Sequence, residues 1–229
     1  MSFRLLGFPV SIEGSFVLTI GFIGFLFFDN AIDRIAAFVV IAVVAVLIHE
    51  FGHALAARSQ GTVGTPTISL AGMAGLTRYR LQEKPSRAKS IFISFAGPLT
   101  GLIIGAVLYA VRQAGVIEET AFIRDLFRIG IFTTFGWSVF NLMPVVPLDG
   151  GHIMTDLLPG DRLERRRRAA YVSIGVCVVL AVALVAWSGF TNIFALAYLG
   201  FFGFQNFTSL KNLPAVPHPT AKPQDLPRT

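Results

Sequence analysis

Residues 34–58 read RIAAFVVIAVVAVLIHEFGHALAAR. Between the two arginines, the only ionisable side chains are those of His49, Glu50 and His53. A run this long and apolar reads as a helix crossing a bilayer, because about 20 residues at 1.5 Å each cover the ~30 Å of hydrocarbon. Ionisable groups inside such a span are costly, so three of them within five positions need a reason.

The whole chain has the same character. Of its 229 residues, 54% are hydrophobic and 14% charged, and the mean hydropathy is +0.68. Soluble domains are nearer 45–50% apolar and about 25% charged. The composition therefore implies an integral membrane protein, all-α and polytopic, with about six spans of ~20 residues. The net charge of +6 does not point to nucleic acid, because the basic residues lie between apolar runs, where membrane topology places them. Cys177 stands alone, which excludes a disulfide framework and any cysteine-based zinc site. No secretory signal is expected at the N-terminus.

The expected spans run over about 15–28, 34–58, 91–111, 129–144, 169–187 and 190–207. Residues 1–14 read as a short strand or an interfacial segment. The connection 59–89 is polar and basic, and within it Thr67-Ile68-Ser69-Leu70 alternates as a strand does, with Gly72 and Gly75 at turn positions. A small β-hairpin or re-entrant element is therefore expected after the second helix. Residues 1–208 form the membrane-embedded domain on this reading, and 209–229, rich in proline and polar residues, form a flexible cytoplasmic tail. With the N-terminus inside, fifteen of the nineteen basic residues fall in inside segments, leaving Arg34, Arg112, Arg124 and Arg128 outside. That bias predicts a multi-pass protein of the plasma membrane with both termini in the cytoplasm.

On a helix, H-E-x-x-H sets two imidazoles at i and i+4 on one face with a carboxylate beside them. Composition alone would give on the order of 0.004 such matches in this chain, so the motif is specific. His49 and His53 are candidate zinc ligands, and Glu50 is the candidate base that takes a proton from the attacking water and passes it to the leaving amine. A catalytic zinc usually has three protein ligands. His152, His218 and the acids are the remaining candidates. Asp149 stands out among them because it closes an apolar span in the run 141–152. Its plainer reading is the N-cap of the short helix that follows. His152 reads better as a neighbour of the site or as interfacial than as a ligand. Thr134, Ser138 and Asn141, at i, i+4 and i+7, share a helical face that either bonds to other helices or lines a wet, substrate-facing stripe. The run Arg165–Arg168 reads as a topology determinant near anionic lipid.

HEFGH in one span and N-x-x-P-x-x-P-L-D-G-G at 141–151 in a later one together resemble the site-2 protease family of intramembrane zinc metalloproteases. The resemblance covers about residues 5–207 and includes Gly97-Pro98 in the third span. It implies one zinc per chain, held by His49, His53 and Asp149, with Glu50 as catalytic base and Asn141 helping to hold the substrate. The implied partners are a transmembrane protein substrate, the lipid bilayer and separate regulatory membrane proteins. The implied reaction is peptide-bond hydrolysis within or near transmembrane segments, as in regulated intramembrane proteolysis. The family often has Asn three residues after Gly-Pro, where this chain has Gly101; Gly97, Gly101 and Gly105 instead form a small-residue seam for close helix packing. Two competing classes remain. A transporter or channel would not require Glu50 at this spacing. An inactive scaffold homologue would be expected to lack a ligand or the base, and none is missing.

Overall fold

The structure, a computed structural model, describes residues 1–28, 31–117 and 120–214. It divides into two compact units, Met1–Met143 and Pro144–Thr229.

The first unit opens with strands β1 (Ser2–Leu5) and β2 (Phe8–Ile12), then helices α1 (Gly14–Phe27) and α2 (Ile32–Ser59). Strands β3 (Thr67–Ala71) and β4 (Ala74–Arg78) follow, then α3 (Arg87–Gln113). An interrupted helix closes the unit: α4 (Ala121–Ile131), a π-helical turn at Phe132–Gly136, and α5 (Trp137–Asn141). Asp33 in the first turn of α2 and Arg58 in the last complement the helix dipole. Ser86 caps α3 by accepting from the Lys89 amide at 3.3 Å.

The hairpin expected at 67–78 is present, and the strand-like N-terminus joins it. The four strands form one sheet in the order β1-β2-β3-β4. β2 and β3 run parallel, pairing Val10 with Ile68 and Ile12 with Leu70, while the other two pairs are antiparallel. Leu6 and Gly7, both at positive φ, make the β1–β2 turn. Alternation puts Phe8, Val10, Ile68 and Leu70 on a buried face. Phe8, Val10 and Ile68 pack there with Phe51 and Ala54 of α2, and Phe8 meets the Phe51 ring edge-on at 5.7 Å. The sheet is thus seated on the helix that carries HEFGH.

Four described helices are long and apolar enough to cross a bilayer: Ile32–Ser59, Arg87–Gln113, Arg162–Ser188 and Ile193–Lys211. The expectation of six is met in part. α1 has only 14 residues. The fourth expected span, 129–144, begins earlier and is interrupted. Thr120 caps it at its start. Further along, the Thr133 and Thr134 hydroxyls donate to the carbonyls of Ile129 (2.8 Å) and Gly130 (2.7 Å), drawing on the acceptors the helical ladder would use. The π-helical turn begins at this place.

The glycine seam is real. A Cβ on Gly101 would collide with Ser138 Oγ, and one on Gly105 would lie 2.7 Å from Phe135 Cβ. α3 therefore meets the interrupted helix nearly backbone to backbone, so a larger residue at position 101 would require Ser138 to shift. Thr134, Ser138 and Asn141 are all buried, and each donates to the carbonyl four residues earlier on its own helix, at 2.7, 2.8 and 3.0 Å.

The second unit holds α6 (Asp149–Leu157), α7 (Arg162–Ser188) and α8 (Ile193–Lys211). The run Pro144–Pro147 cannot supply a regular ladder, and its backbone finds partners on the two long helices. The Val146 amide donates to Ser173 Oγ (3.0 Å), and Asn206 Nδ2 donates to the Val146 carbonyl (2.6 Å). Asp161 and Glu164 form a capping box at the start of α7. The arginine run does more than mark topology: Arg165 pairs with Asp156 at 2.9 Å, while Arg167 and Arg168 donate to the carbonyls of Pro214 and Pro159. Of the tail expected from 209, residues up to Lys211 belong to α8, and 215–229 lie outside the described residues.

Candidate active site

His49, Glu50 and His53 lie on α2 at 3%, 5% and 8% exposure. Helical spacing of i and i+4 brings the two Nε2 atoms to 3.2 Å. His53 Nδ1 is 2.7 Å from the Ile93 carbonyl oxygen of α3. A carbonyl can only accept, so Nδ1 carries the proton and Nε2 presents its lone pair towards His49. Fixing a ligating ring through its other nitrogen is the usual support of a metal-bound histidine. The spacing also fits: two bonds of ~2.05 Å at a tetrahedral angle put donor atoms about 3.3 Å apart. The donor chemistry present therefore suits a zinc ion.

The walls are built by residues too small to intrude. Gly97 of α3 lies against the imidazole of His53, where any Cβ would overlap the ring. Gly52, the fourth residue of HEFGH, lets α3 approach, since its Cβ would come within 2.5 Å of the Ala96 carbonyl oxygen. Thr100 seals the crossing with its hydroxyl 2.7 Å from the Gly97 carbonyl and 3.3 Å from that of Ile48. On the other side β4 covers Glu50. The Thr77 hydroxyl is 2.7 Å from Glu50 Oε2, and Gly75 backs onto the carboxylate.

The remaining expected residues fall in different places. Asn141 is the last residue of α5, buried, with its amide nitrogen donating to Trp137 O. Asp149 belongs to the second unit, in the first turn of α6. It is not the N-cap, a position held by Leu148 without a side-chain bond. His152 is exposed on the same helix, and His218 lies outside the described residues. Sequence reasoning missed Thr77 and the Ile93 carbonyl. A strand threonine carries no signal of its own, and a backbone acceptor leaves none in the side chains.

The profile of Peptidase family M50 matches residues 37–119 and 112–182. The chain belongs to peptidase family M50. A zinc metalloprotease of Methanocaldococcus jannaschii is 30% identical over 157 residues, covering 68% of this chain and 44% of that relative. A Mycobacterium tuberculosis relative, named as a zinc metalloprotease, is 30% identical over 173 residues, covering 72% of this chain and 43% of its own length. The chain thus spans less than half the length of these two relatives. A Bacillus subtilis relative with a similar name is 30% identical, covering 64% of this chain and 80% of its own length. The site-2 protease from M. jannaschii superposes with a TM-score of 0.61 at 22% identity, covering 97% of this chain and 99% of that one. This M50 member shares that fold, and with its apolar helices it is a membrane protein.

Proposed function

We propose that this M50 protein is an intramembrane zinc metalloendopeptidase that hydrolyses peptide bonds within or near transmembrane segments of other membrane proteins. The observation that carries the reading is the pair of converging imidazole nitrogens 3.2 Å apart beside a buried carboxylate, on a helix apolar enough to cross a bilayer. His49, His53 and Asp149, each offering one ligand atom, are the proposed ligands of one zinc per chain. Zinc bound there would polarise the scissile carbonyl and make water a nucleophile near neutral pH.

Each residue then has a defined task. Glu50 accepts a proton from the attacking water and delivers it to the leaving nitrogen. The ring of His53 stays oriented because its Nδ1–H is committed to Ile93 O. A helical substrate must unwind before hydrolysis, and β4, an edge strand of the sheet, offers main-chain groups to an extended segment by strand addition. The Asn141 amide takes a further hydrogen bond from the unwound backbone, whose polar groups need partners in a dry site. Selection of substrates rests on the membrane core, on prior cleavage or on separate regulatory membrane partners. The basic-residue bias supports both termini being cytoplasmic, and the proposed location is the plasma membrane.

The test is reconstitution of the purified full-length protein with a single-span membrane protein in liposomes. Cleavage within the span is expected, blocked by 1,10-phenanthroline and restored by zinc. His53 is five residues from Arg58 at the inner end of α2, about 8 Å at 1.5 Å per residue, so product ends mapped by mass spectrometry should fall in the cytoplasmic half. Cuts clustered in the outer half would invert the topology, and chelator-resistant cleavage would remove zinc from the mechanism.

Asn141→Leu should keep zinc and lower kcat/KM by roughly 5- to 150-fold, the worth of one good hydrogen bond. Melting temperature, zinc content and cleavage measured on one preparation separate this from a packing role. A parallel loss of all three would defeat substrate binding by Asn141.

A further inference from the structure

We propose that β4 holds the general base in place, with Thr77 and Gly75 as its positioning residues; this rests on the reading of Glu50 as the base. A glutamate on a helix has three rotatable side-chain bonds and loses useful geometry unless something fixes it, and productive sites hold their groups within about 0.5 Å. Glu50 is 5% exposed, so solvent cannot be what fixes it.

The two residues act on the carboxylate in different ways. Thr77 Oγ1 is 2.7 Å from Oε2 and 3.0 Å from the carbonyl oxygen of Glu50 itself. A hydroxyl has one proton, and the charged carboxylate is the stronger acceptor, so the proton goes to Oε2. Gly75 supplies a wall. A Cβ there would sit 2.5 Å from Oε1, 2.6 Å from Cγ and 2.7 Å from Cδ of Glu50.

Positions 75 and 77 are two apart on a strand and so share a face. They are the half-buried positions in a strand whose other residues are exposed. The register carries the support further. Thr77 pairs with Ile68 and Gly75 with Leu70, and those two side chains are fully buried. The base is thereby held by a strand whose partner is anchored in the core, and that same strand presents the free edge of the sheet.

Four proteins test the contact without any turnover: wild type, Thr77→Val, Glu50→Met and the double variant. The drop in Tm caused by Thr77→Val should shrink when the carboxylate is absent. Additive Tm changes would overturn the contact. Kinetics on one reconstituted single-span substrate test the positioning. Thr77→Val should lower kcat by about 10- to 100-fold, as for one charge-assisted hydrogen bond, with KM within about twofold and zinc content unchanged. Thr77→Ser should recover most of the loss, and Gly75→Ala should behave like Thr77→Val. An unchanged kcat, a loss tracking zinc content, or a serine variant as impaired as the valine one would overturn the proposal. A wild type that cleaves nothing while the Tm coupling persists would overturn the base reading itself and with it the catalytic half of the proposal.

Discussion

Glu50→Gln is expected to leave zinc content and Tm as in the wild type and to lower peptide hydrolysis by about two to four orders of magnitude, the usual contribution of a positioned base. The amide has the same size and can still take the Thr77 hydroxyl as a donor, so the contact with β4 survives. What it cannot do is accept a proton from water. In cells the same variant should cause a single-span protein to accumulate uncleaved, and comparing membrane proteomes with the wild type would identify it. Substantial turnover by the glutamine variant would remove Glu50 as the base and revive a transport reading of the buried histidines.

The second large effect concerns the metal. His49→Ala, His53→Ala and Asp149→Ala should each reduce zinc from about one per chain to a small fraction at equal protein concentration, because even outer contacts to a zinc ligand are worth 10–100-fold in affinity. Elemental analysis of purified protein reads this directly. The three variants are not equivalent as evidence. The histidine pair is geometrically defined on α2, with the nitrogens 3.2 Å apart. Asp149 is assigned from the motif at 141–151. Full zinc occupancy in Asp149→Ala would show that another residue is the third ligand, while leaving the histidines in place.

How far the sequence could be read varied with the range of each interaction. His49, Glu50 and His53 were legible because helical spacing alone puts them on one face. The hairpin at 67–78 was legible because alternation and turn glycines are local signals. Its union with the N-terminus was not, since the pairing of Val10 with Ile68 links residues separated by two helices. The seam at Gly97, Gly101 and Gly105 was read correctly as a packing surface, but what it packs against had to be seen. It serves two neighbours, the His53 ring at one end and Ser138 and Phe135 further along. The arginine run at 165–168 looked like a purely topological signal because charge counting ignores partners, and three of its members turn out to tie down backbone or an aspartate. The polar residues that satisfy the Pro144–Pro147 backbone, Ser173 and Asn206, sit in apolar runs and read there as incidental.

The brevity of α1 has a consequence for depth. Its 14 residues rise about 21 Å, against ~30 Å of hydrocarbon. β2 ends at Ile12 and α1 begins at Gly14, so Glu13 alone separates sheet from helix. Were α1 to stand along the bilayer normal with its far end at one interface, the sheet would lie roughly 9 Å beneath the other. A strand edge at that level is tolerated only against protein or water, never against acyl chains. In that placement β4 would call for a wetted recess below the membrane surface. The strand that demands this water is the one lying on Glu50, the residue that would use it.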